Sequence, residues 1–241
     1  MADSQKNNRN HPKNIGIIMD GNGRWANANK LKVTQGHEKG VGVVRDIVKE
    51  CVAKNVESLT IYAFSSENWS RPKNEIKGIK KLIVKAITDQ VPELIEQDVM
   101  LNFFGDIDSF GCEIQEKTKN AERDTFQKNP KLRLNVALGY GGRKDIVNIC
   151  KELAANYKSG QITFDDIDEN MISLASQVPD DNIDLIIRTG GDKRLSNFLL
   201  FQAAYAEIMF IDKLWPDFTR DDFTNCLHKF TKVSRRFGKR I

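Results

Sequence analysis

The sequence predicts one α/β domain with a central, mostly parallel six-stranded sheet flanked by helices. Six short apolar runs of strand length recur along the 241 residues, and amphipathic helical patterns separate most of them. Strands that alternate with helices are typical of parallel sheets, because each crossover helix carries the chain back to the starting edge. The predicted strands are residues 15–19, 59–64, 101–104, 132–138, 185–187 and 208–210.

Two of the predicted helices have the clearest apolar faces. Residues 40–53 place Val44 and Ile47 on one face, which predicts a crossover helix packed on the sheet. Residues 75–96 carry a longer apolar face, and Pro92 is expected to kink or shorten this helix. Further helices are predicted at residues 113–127, at 145–157 and from 220 to about 237.

The composition indicates a soluble globular protein, with 40% hydrophobic and 29% charged residues. No apolar run reaches the ~18 residues of a membrane-spanning helix. Residues 1–12 are polar and lack the apolar core of an export signal, so we interpret them as a flexible leader before a single domain at 13–241. We therefore expect a cytoplasmic protein.

Several function classes lose support from motifs that the sequence lacks. The net charge of +4 is mild and the basic residues are scattered, which argues against nucleic-acid binding. There is neither a Gly-x-x-x-x-Gly-Lys-Ser/Thr phosphate loop nor a Gly-x-Gly-x-x-Gly fingerprint, so a nucleotide enzyme is disfavoured. The three histidines and four cysteines are far apart and form no Cys-x-x-Cys pair, so neither a zinc site nor a disulfide framework is predicted.

The first predicted strand runs directly into a carboxylate, two glycines and an arginine. Asp20 is followed by Gly21, Asn22, Gly23 and Arg24. Glycines allow close backbone approach and free N–H groups can face an anion, so the segment suits a diphosphate and its metal. The alternative is an ordinary strand-turn-helix corner in which Asp20 caps the helix. Taken alone, the segment favours that alternative.

Polar groups also follow the later strands, at the edge where parallel sheets bind ligands. Residues 64–72 form a polar loop and residues 139–143 carry paired glycines, for which a capped loop and a tight turn are the alternatives. Glu207 lies among small and apolar residues and needs a metal or an arginine if it is buried. The fifth strand is followed by side chains that can donate charge-assisted hydrogen bonds to one anion, namely Arg188, Arg194 and Ser196.

Taken in order, these motifs resemble those of the cis-prenyltransferases, from about residue 11 to the C terminus. The matching segments are Met19 to Ala26, Gly36-His37, Tyr62 to Trp69, Arg71-Pro72, Tyr140 to Arg143, Arg188 to Gly191, Arg194 with Ser196 to Phe198, and Leu214 to Phe218. The resemblance implies a homodimer of one α/β domain with a hydrophobic tunnel between sheet and helices. It also implies sequential cis condensation of isopentenyl diphosphate onto farnesyl diphosphate, giving undecaprenyl diphosphate for the cell-wall lipid carrier. With no membrane span, only a transient membrane contact for product release is compatible with this activity.

The resemblance assigns roles to individual residues. Asp20 would hold Mg²⁺ against the allylic diphosphate, and Glu207 matches a metal-associated carboxylate that belongs to, or acts across, the dimer interface. The implied catalytic residues are Asp20, His37 and Asn68; His37 or Asn68 would assist proton movement, and the group that removes the proton stays open. A structural cap is an equally good interpretation of His37. The implied substrate-binding residues are Gly21, Asn22, Gly23, Arg24, Trp25, His37, Ser65, Glu67, Trp69, Arg71, Arg188, Arg194 and Ser196.

The apolar helix has a second interpretation under this resemblance. Residues 76–95, with Phe103 and Leu132, would form the tunnel wall, although core packing gives the same pattern. Each buried CH₂ group is worth ~0.8 kcal/mol, so a growing tail would stay bound and tunnel volume would set product length. The C-terminal segment 236–238 resembles a family segment that reaches the partner subunit's site.

The chain departs from the family pattern at three positions. Val33 stands where arginine is usual, with Lys30 or Lys32 as substitutes, Gly139 replaces an asparagine and Asp192 replaces a glutamate. Residues 180–184 spell the Asp-Asp-x-x-Asp of the trans-prenyltransferases. A proline precedes this segment and a strand follows it, so we interpret it as a solvated loop.

A noncatalytic prenyltransferase-like partner subunit is the rival interpretation. Such a subunit would be expected to lose the charged residues that act on the diphosphates. This chain keeps Asp20, Arg24, Arg188 and Arg194 together, which favours a catalytic enzyme.

Overall fold

The computed structural model of the protein describes residues 11–234, which form one domain around a six-stranded sheet in the order β3-β4-β2-β1-β5-β6. Every neighbouring pair in this sheet is parallel. The predicted α/β class and strand number are therefore confirmed, and the mostly parallel sheet is entirely parallel. The strands are β1 (Asn14–Ile18), β2 (Ser58–Ser65), β3 (Val99–Gly105), β4 (Leu132–Tyr140), β5 (Leu185–Arg188) and β6 (Glu207–Phe210).

Helices lie in every crossover between these strands except that between β5 and β6, and one more helix follows β6. The seven α-helices of the described part are α1 (Asn22–Ala28), α2 (Val33–Ala53), α3 (Lys73–Glu96), α4 (Cys112–Thr125), α5 (Gly142–Lys158), α6 (Glu169–Ala175) and α7 (Arg220–Thr231). A short 3₁₀ helix, Ser66–Ser70, lies between β2 and α3. No helix of the described chain is long and apolar enough to cross a membrane.

The central strand β1 sends its side chains alternately to two apolar layers. Ile15 and Ile17 pack in the larger core with residues of α2, α3, α4 and α7. Ile18 lies on the opposite face, in a smaller cluster with Phe198 and Leu199. Because all strands run the same way, the ends of β1, β2, β4 and β5 meet at one edge of the sheet.

The predicted helix bounds differ from the observed ones most at α2, which begins at Val33 rather than at residue 40, and at the end of α7. The α3 helix continues through Pro92 to Glu96, so the proline does not shorten it. Pro92 lies near the end of the helix, and burial of Leu94 in the core stabilises the turn that follows. The α7 helix ends at Thr231 rather than near residue 237, because its buried apolar face ends at Phe230. Residues 236–238 and most of the predicted leader lie outside the described residues.

The predicted solvated loop at residues 180–184 is a loop, but Asp180 is buried, so the prediction of a solvated segment is wrong there. Its carboxylate accepts hydrogen bonds from the Ser58 hydroxyl, from Asn135 Nδ2 at 2.8 Å and from Arg133 Nη2 at 3.0 Å. Asn135 and Ser58 lie buried on neighbouring strands and need polar partners there. Asp180 supplies one, which explains why an acidic residue lies inside the fold.

Candidate active site

The turn after β1 is shaped by a backbone that few residues other than glycine can adopt. Gly21 has φ +118°, and a Cβ added to it would lie 2.9 Å from Leu214 Cβ. The backbone N–H of Trp215 donates to the Asp20 carbonyl at 2.9 Å, so the segment after β6 fixes the turn from outside. Asp20 and the start of α1 are therefore held at the carboxyl edge of the sheet.

The Asp20 carboxylate forms ion pairs with two arginines. Its Oδ1 lies 3.0 Å from Arg24 Nη2, and its Oδ2 accepts a hydrogen bond from Arg188 Nη2 at 2.9 Å. Arg188 is almost fully buried, with 4% of its side chain exposed, whereas Asp20 is 27% exposed. A buried guanidinium needs such an anionic partner, and here the partner is a carboxylate open to the site.

Arg188 also organises the segment after β5. Its Nη1 donates to Ser196 Oγ and to the Arg194 carbonyl, both at 2.5 Å. The exposed Arg194 reaches Asp192 at 2.7 Å. Desolvation acts to raise the pKa of Asp192, but the hydrogen bond from Arg194 and the charges of Arg188 and Arg24 hold that pKa below its usual value. Asp192 is thus an anion near three cations. Its side chain is shorter than that of the usual glutamate, but it still contacts Arg188 and Arg194.

The two glycine-containing loops are joined directly. Arg24 Nη1 donates to the Gly190 carbonyl at 2.7 Å, and Thr189 Oγ1 donates to the Asp20 carbonyl at 2.8 Å. Gly190 has φ +87°, and a Cβ there would lie 2.5 Å from an Arg24 nitrogen. The two anion sites predicted from separate motifs are therefore neighbours in one structure.

A tunnel begins beside Asp20 and runs between the sheet and helices α2 and α3, as predicted. This cavity has a volume of about 460 Å³. At its mouth lie Gly21, Asn22, Gly23, Arg24, His37, Asn68 and Arg71. Deeper in, the wall is apolar, with α3 residues such as Ile79, Ile83 and Ile87 facing Phe103. Leu132, also predicted for the wall, is fully buried in the core and does not line the cavity.

His37 lies near the tunnel mouth, where its surroundings disfavour protonation of the imidazole. Burial lowers its pKa, and the Arg71 guanidinium lowers it further, against the opposing effect of Glu75. Its Nε2 is buried without a hydrogen-bond partner, and the nearest carboxylate oxygen, on Glu75, is 3.9 Å away. Asn22 Oδ1, at the same mouth, is likewise buried and unpartnered. Buried polar atoms without partners at a cavity mouth indicate that a polar ligand completes the site.

The loop after β2 brings only some of its predicted residues to the tunnel. Asn68 Oδ1 accepts from the Ser65 backbone N–H at 3.1 Å, while Ser65 and Glu67 lie outside the lining. Trp69 packs in an aromatic cluster with Phe64 and Phe110, at centroid distances of 4.9 and 4.8 Å. Ser65, Glu67 and Trp69 therefore position the loop around Asn68.

Two further predicted residues lie away from the tunnel. Trp25 does not line the cavity, and its indole Nε1 donates to Asp217 at 2.8 Å. Glu207 begins β6 and pairs in register with Leu185, whereas Arg188 pairs with Phe210. Glu207 thus lies three residues, about 10 Å, back along the strand from the edge that carries Asp20. One chain does not bring the two predicted metal ligands together.

Sequence reasoning gave no role to Asn197, which links three loops. Its Nδ2 donates to Glu67 at 2.7 Å and its Oδ1 accepts from the Arg143 backbone N–H at 2.8 Å. Its φ of +64° is a left-handed conformation that asparagine tolerates better than most residues. An asparagine in a tight, polar turn was the available signal. Val33, the departure from the family pattern, lines the tunnel mouth as an apolar side chain.

The donor set fits a magnesium ion that takes most of its ligands from a bound diphosphate and water. Among residues 11–234 there is no group of three or more acidic, cysteine or histidine side chains that could hold a metal. Magnesium needs only one or two carboxylates when phosphate oxygens and water complete its shell. Asp20 is the one predicted ligand at the tunnel mouth, and both of its oxygens are occupied by arginines that can pair with a diphosphate instead.

The same architecture occurs in proteins of known class. Residues 18–238 match the family model described as "Putative undecaprenyl diphosphate synthase". The ditrans,polycis-undecaprenyl-diphosphate synthase ((2E,6E)-farnesyl-diphosphate specific) of Yersinia pseudotuberculosis is 44% identical over 229 residues, 94% of this chain and 90% of that protein.

Two crystal structures agree with this similarity. Lavandulyl diphosphate synthase from Lavandula x intermedia, in complex with dimethylallyl diphosphate, matches with a TM-score of 0.91 and 32% identity over 95% of this chain and 99% of that one. A probable undecaprenyl diphosphate synthase from Campylobacter jejuni matches with a TM-score of 0.79 and 30% identity, over 95% and 100% of the chains. With a family model that matches residues 18–238 and a relative that is 44% identical over 94% of the chain, this chain belongs to the cis-prenyltransferase family of the undecaprenyl diphosphate synthases.

Proposed function

We propose that this protein condenses isopentenyl diphosphate units sequentially onto farnesyl diphosphate in cis configuration and releases undecaprenyl diphosphate. The relative from Yersinia pseudotuberculosis carries that activity in its name. The observation that carries the proposal is the Asp20 carboxylate between Arg24 and Arg188 at the mouth of an apolar tunnel. In this arrangement, a site for the leaving diphosphate, a second site for an anion and a cavity for a hydrocarbon chain lie next to one another.

The first chemical requirement is stabilisation of the leaving group. When diphosphate departs from the allylic carbon, negative charge builds on its oxygens and positive charge on carbon. Arg24 is within reach of that diphosphate once it releases Asp20, and backbone N–H groups of the Gly21 turn add donors. Asp20 would hold a Mg²⁺ ion here, which would supply Lewis-acid stabilisation of the same oxygens.

The second requirement is to hold isopentenyl diphosphate beside that carbon. Arg188, Arg194 and Ser196 form a donor set on the neighbouring loop, tied to the first by the Arg24–Gly190 hydrogen bond. Burial holds Arg188 in one position, so it can orient the diphosphate. The exposed Arg194 can move to contact the diphosphate as it binds. Reactants held in this way need less ordering before the bond forms.

The third requirement is removal of a proton after the carbon–carbon bond forms. In the tautomer that carries its hydrogen on Nδ1, His37 can accept a proton at the unpartnered Nε2, and it lies with Asn68 at the tunnel mouth. The Asn68 amide can orient the groups around it but is a poor base. His37 is therefore the better candidate of the two for proton movement.

The rival partner-subunit function does not fit this site. A noncatalytic subunit has no need of a complete donor set at an open tunnel mouth, and this chain keeps Asp20, Arg24, Arg188 and Arg194 assembled. We further propose a cytoplasmic homodimer in which Glu207 acts at or across the subunit interface, since one chain keeps it far from Asp20. Light scattering of the purified protein measures its oligomeric state.

The decisive experiment incubates purified protein with farnesyl diphosphate, radiolabelled isopentenyl diphosphate and Mg²⁺, and sizes the extracted lipids. We expect label in undecaprenyl diphosphate and loss of incorporation when EDTA replaces Mg²⁺. An absence of labelled lipid with Mg²⁺ present would refute the catalytic proposal. A product of another length would keep the chemistry and overturn the product assignment.

A further inference from the structure

Charged side chains line the tunnel far from the catalytic edge. The α3 helix begins beside the mouth, where Glu75 approaches His37, and Glu93 lies about 27 Å further along that helix. Glu93 and Gln97 line the tunnel there, together with Arg45 from α2. Gln90 is also polar, but the other neighbouring lining residues are apolar, so charged groups are the exception in this part of the wall.

These residues form one connected group across the two helices, here called the Glu93 clamp: Glu93, Arg45, Lys49 and Gln97. The Glu93 carboxylate lies 2.5 Å from Arg45 Nε and 2.7 Å from Lys49 Nζ. Gln97 Nε2 donates to the same carboxylate at 3.1 Å. Arg45 and Lys49 are four residues apart and share a face of α2, so both reach one acceptor.

The clamp presents a hydrocarbon tail with groups that it cannot solvate. A tail that entered between α2 and α3 at this level would have to part the Glu93 carboxylate, 21% exposed, from two cations, and hydrocarbon offers this carboxylate no replacement hydrogen bonds. The cations, which are 50% and 33% exposed, can still be hydrated, so the cost falls on the carboxylate. Apolar residues at the same depth, such as Val48 and Leu94, offer no such resistance. The tail is therefore favoured along the apolar wall and opposed at the clamp.

We propose that the Glu93 clamp is the stop that limits the length of the polyprenyl tail. The inference rests on the proposed function, because it requires a growing tail in this tunnel. It differs from a general statement about tunnel volume, since it assigns the limit to an ion pair between α2 and α3 rather than to the bulk of apolar side chains.

A second ion pair between the same helices provides a matched control. Lys85 on α3 lies 2.7 Å from Glu38 on α2, and both side chains are more than half exposed. Neither residue lines the tunnel. Glu38→Gln therefore removes the same charge and breaks an ion pair between the same two helices without changing the tunnel.

The experiment measures both total incorporation of radiolabelled isopentenyl diphosphate and the size distribution of the lipids. It compares wild type with Glu93→Gln, Arg45→Gln, the double variant and Glu38→Gln, each checked for folding by thermal unfolding. We expect both single variants to shift the main product upward by at least one five-carbon unit. The double variant should shift it no further than Glu93→Gln does, because that change alone removes the carboxylate on which both ion pairs depend. Glu38→Gln should leave the distribution unchanged.

The outcomes separate the inference from the proposed function. Failure of wild type to incorporate label would refute the proposed function and remove the basis of the inference. Normal incorporation with an unchanged or shortened product in Arg45→Gln and Glu93→Gln would overturn the clamp as a stop. An equal shift in Glu38→Gln would also overturn it, because the effect would then come from loosening the helices. If Glu93→Gln does not fold, Arg45→Gln alone decides, since Lys49 still pairs with Glu93 in that variant.

Discussion

Replacing Asp20 with asparagine tests the central geometry of the site through two independent readouts. The change keeps the size of the side chain and removes its charge. Arg188, with 4% of its side chain exposed, then loses its nearest anionic partner and keeps only Asp192, whose oxygen is 3.4 Å away. The catalytic and structural roles of Asp20 can therefore be separated by measuring turnover and stability on the same variant.

The size of each effect follows from the contacts. Breaking a fully buried ion pair costs about 3–5 kcal/mol, but Asp20 is partly exposed and Asp192 compensates, so we expect a loss of about 1–2 kcal/mol. For a domain of this size that is a fall of about 2–8 °C in melting temperature. Losing the protein's magnesium ligand and the control of both arginines should reduce kcat by roughly 10³-fold or more.

The assays are steady-state incorporation of labelled isopentenyl diphosphate and thermal unfolding at one pH. Asp106→Asn is a suitable control, because Asp106 has a similar exposure, pairs with a single lysine and does not line the tunnel. It should reduce stability by less than about 1 kcal/mol and leave turnover unchanged. Retention of kcat within tenfold in Asp20→Asn would refute the metal-holding role. An unchanged melting temperature would refute the claim that Asp20 neutralises Arg188.

Three further predictions concern stability. The pKa of His37 is lower in the folded protein than its unfolded value of about 6.5, so the unfolded chain binds more protons in acid. The free energy of unfolding should therefore fall as the pH drops below about 6.5. Urea titrations should show a smaller fall in His37→Asn. Gly21→Ala should cost about 1–3 kcal/mol through its φ of +118° and its contact with Leu214, and Gly42→Ala, where a Cβ meets nothing, is the control for calorimetry. Asp180→Ala should cost about 1–3 kcal/mol in chemical unfolding, because the buried Ser58 hydroxyl loses its acceptor, and an unchanged stability would contradict that role.

The sheet was predictable because its information is local. Parallel strands buried on both faces are continuous apolar runs, so β1 and β5 stand out in the sequence within one residue of their observed ends. Glycines next to charged residues at strand ends likewise located the Asp20 turn and the segment after β5. These features depend on neighbours in the chain, which a single sequence displays.

Features set by contacts between distant segments were not predictable. The sequence predicts that Asp180 lies on the surface. In the structure, β2 and β4 place Ser58 and Asn135 beside it. Asn197 has no visible role until three loops meet around its amide. Glu207 was grouped with Asp20 by resemblance, but the register between β5 and β6 places it away from that edge. The positions of all three residues depend on strand order, strand register and the loops that these bring together. The local periodicity of a sequence predicts none of these.

The Asp20 carboxylate, which pairs with Arg24 and Arg188, would compete with any anion that binds to these arginines. The carboxylate acts as an internal anion, and any external anion must displace it before it can bind. A singly charged ion such as chloride would pair with the arginines no more strongly than the carboxylate that it displaces, so its binding would gain little free energy. A diphosphate that arrives with a metal offers both arginines new oxygens and offers the carboxylate a cation, so all three groups exchange partners together. Under the proposed function, the site would thereby select metal-bound diphosphates over the simple anions that surround them.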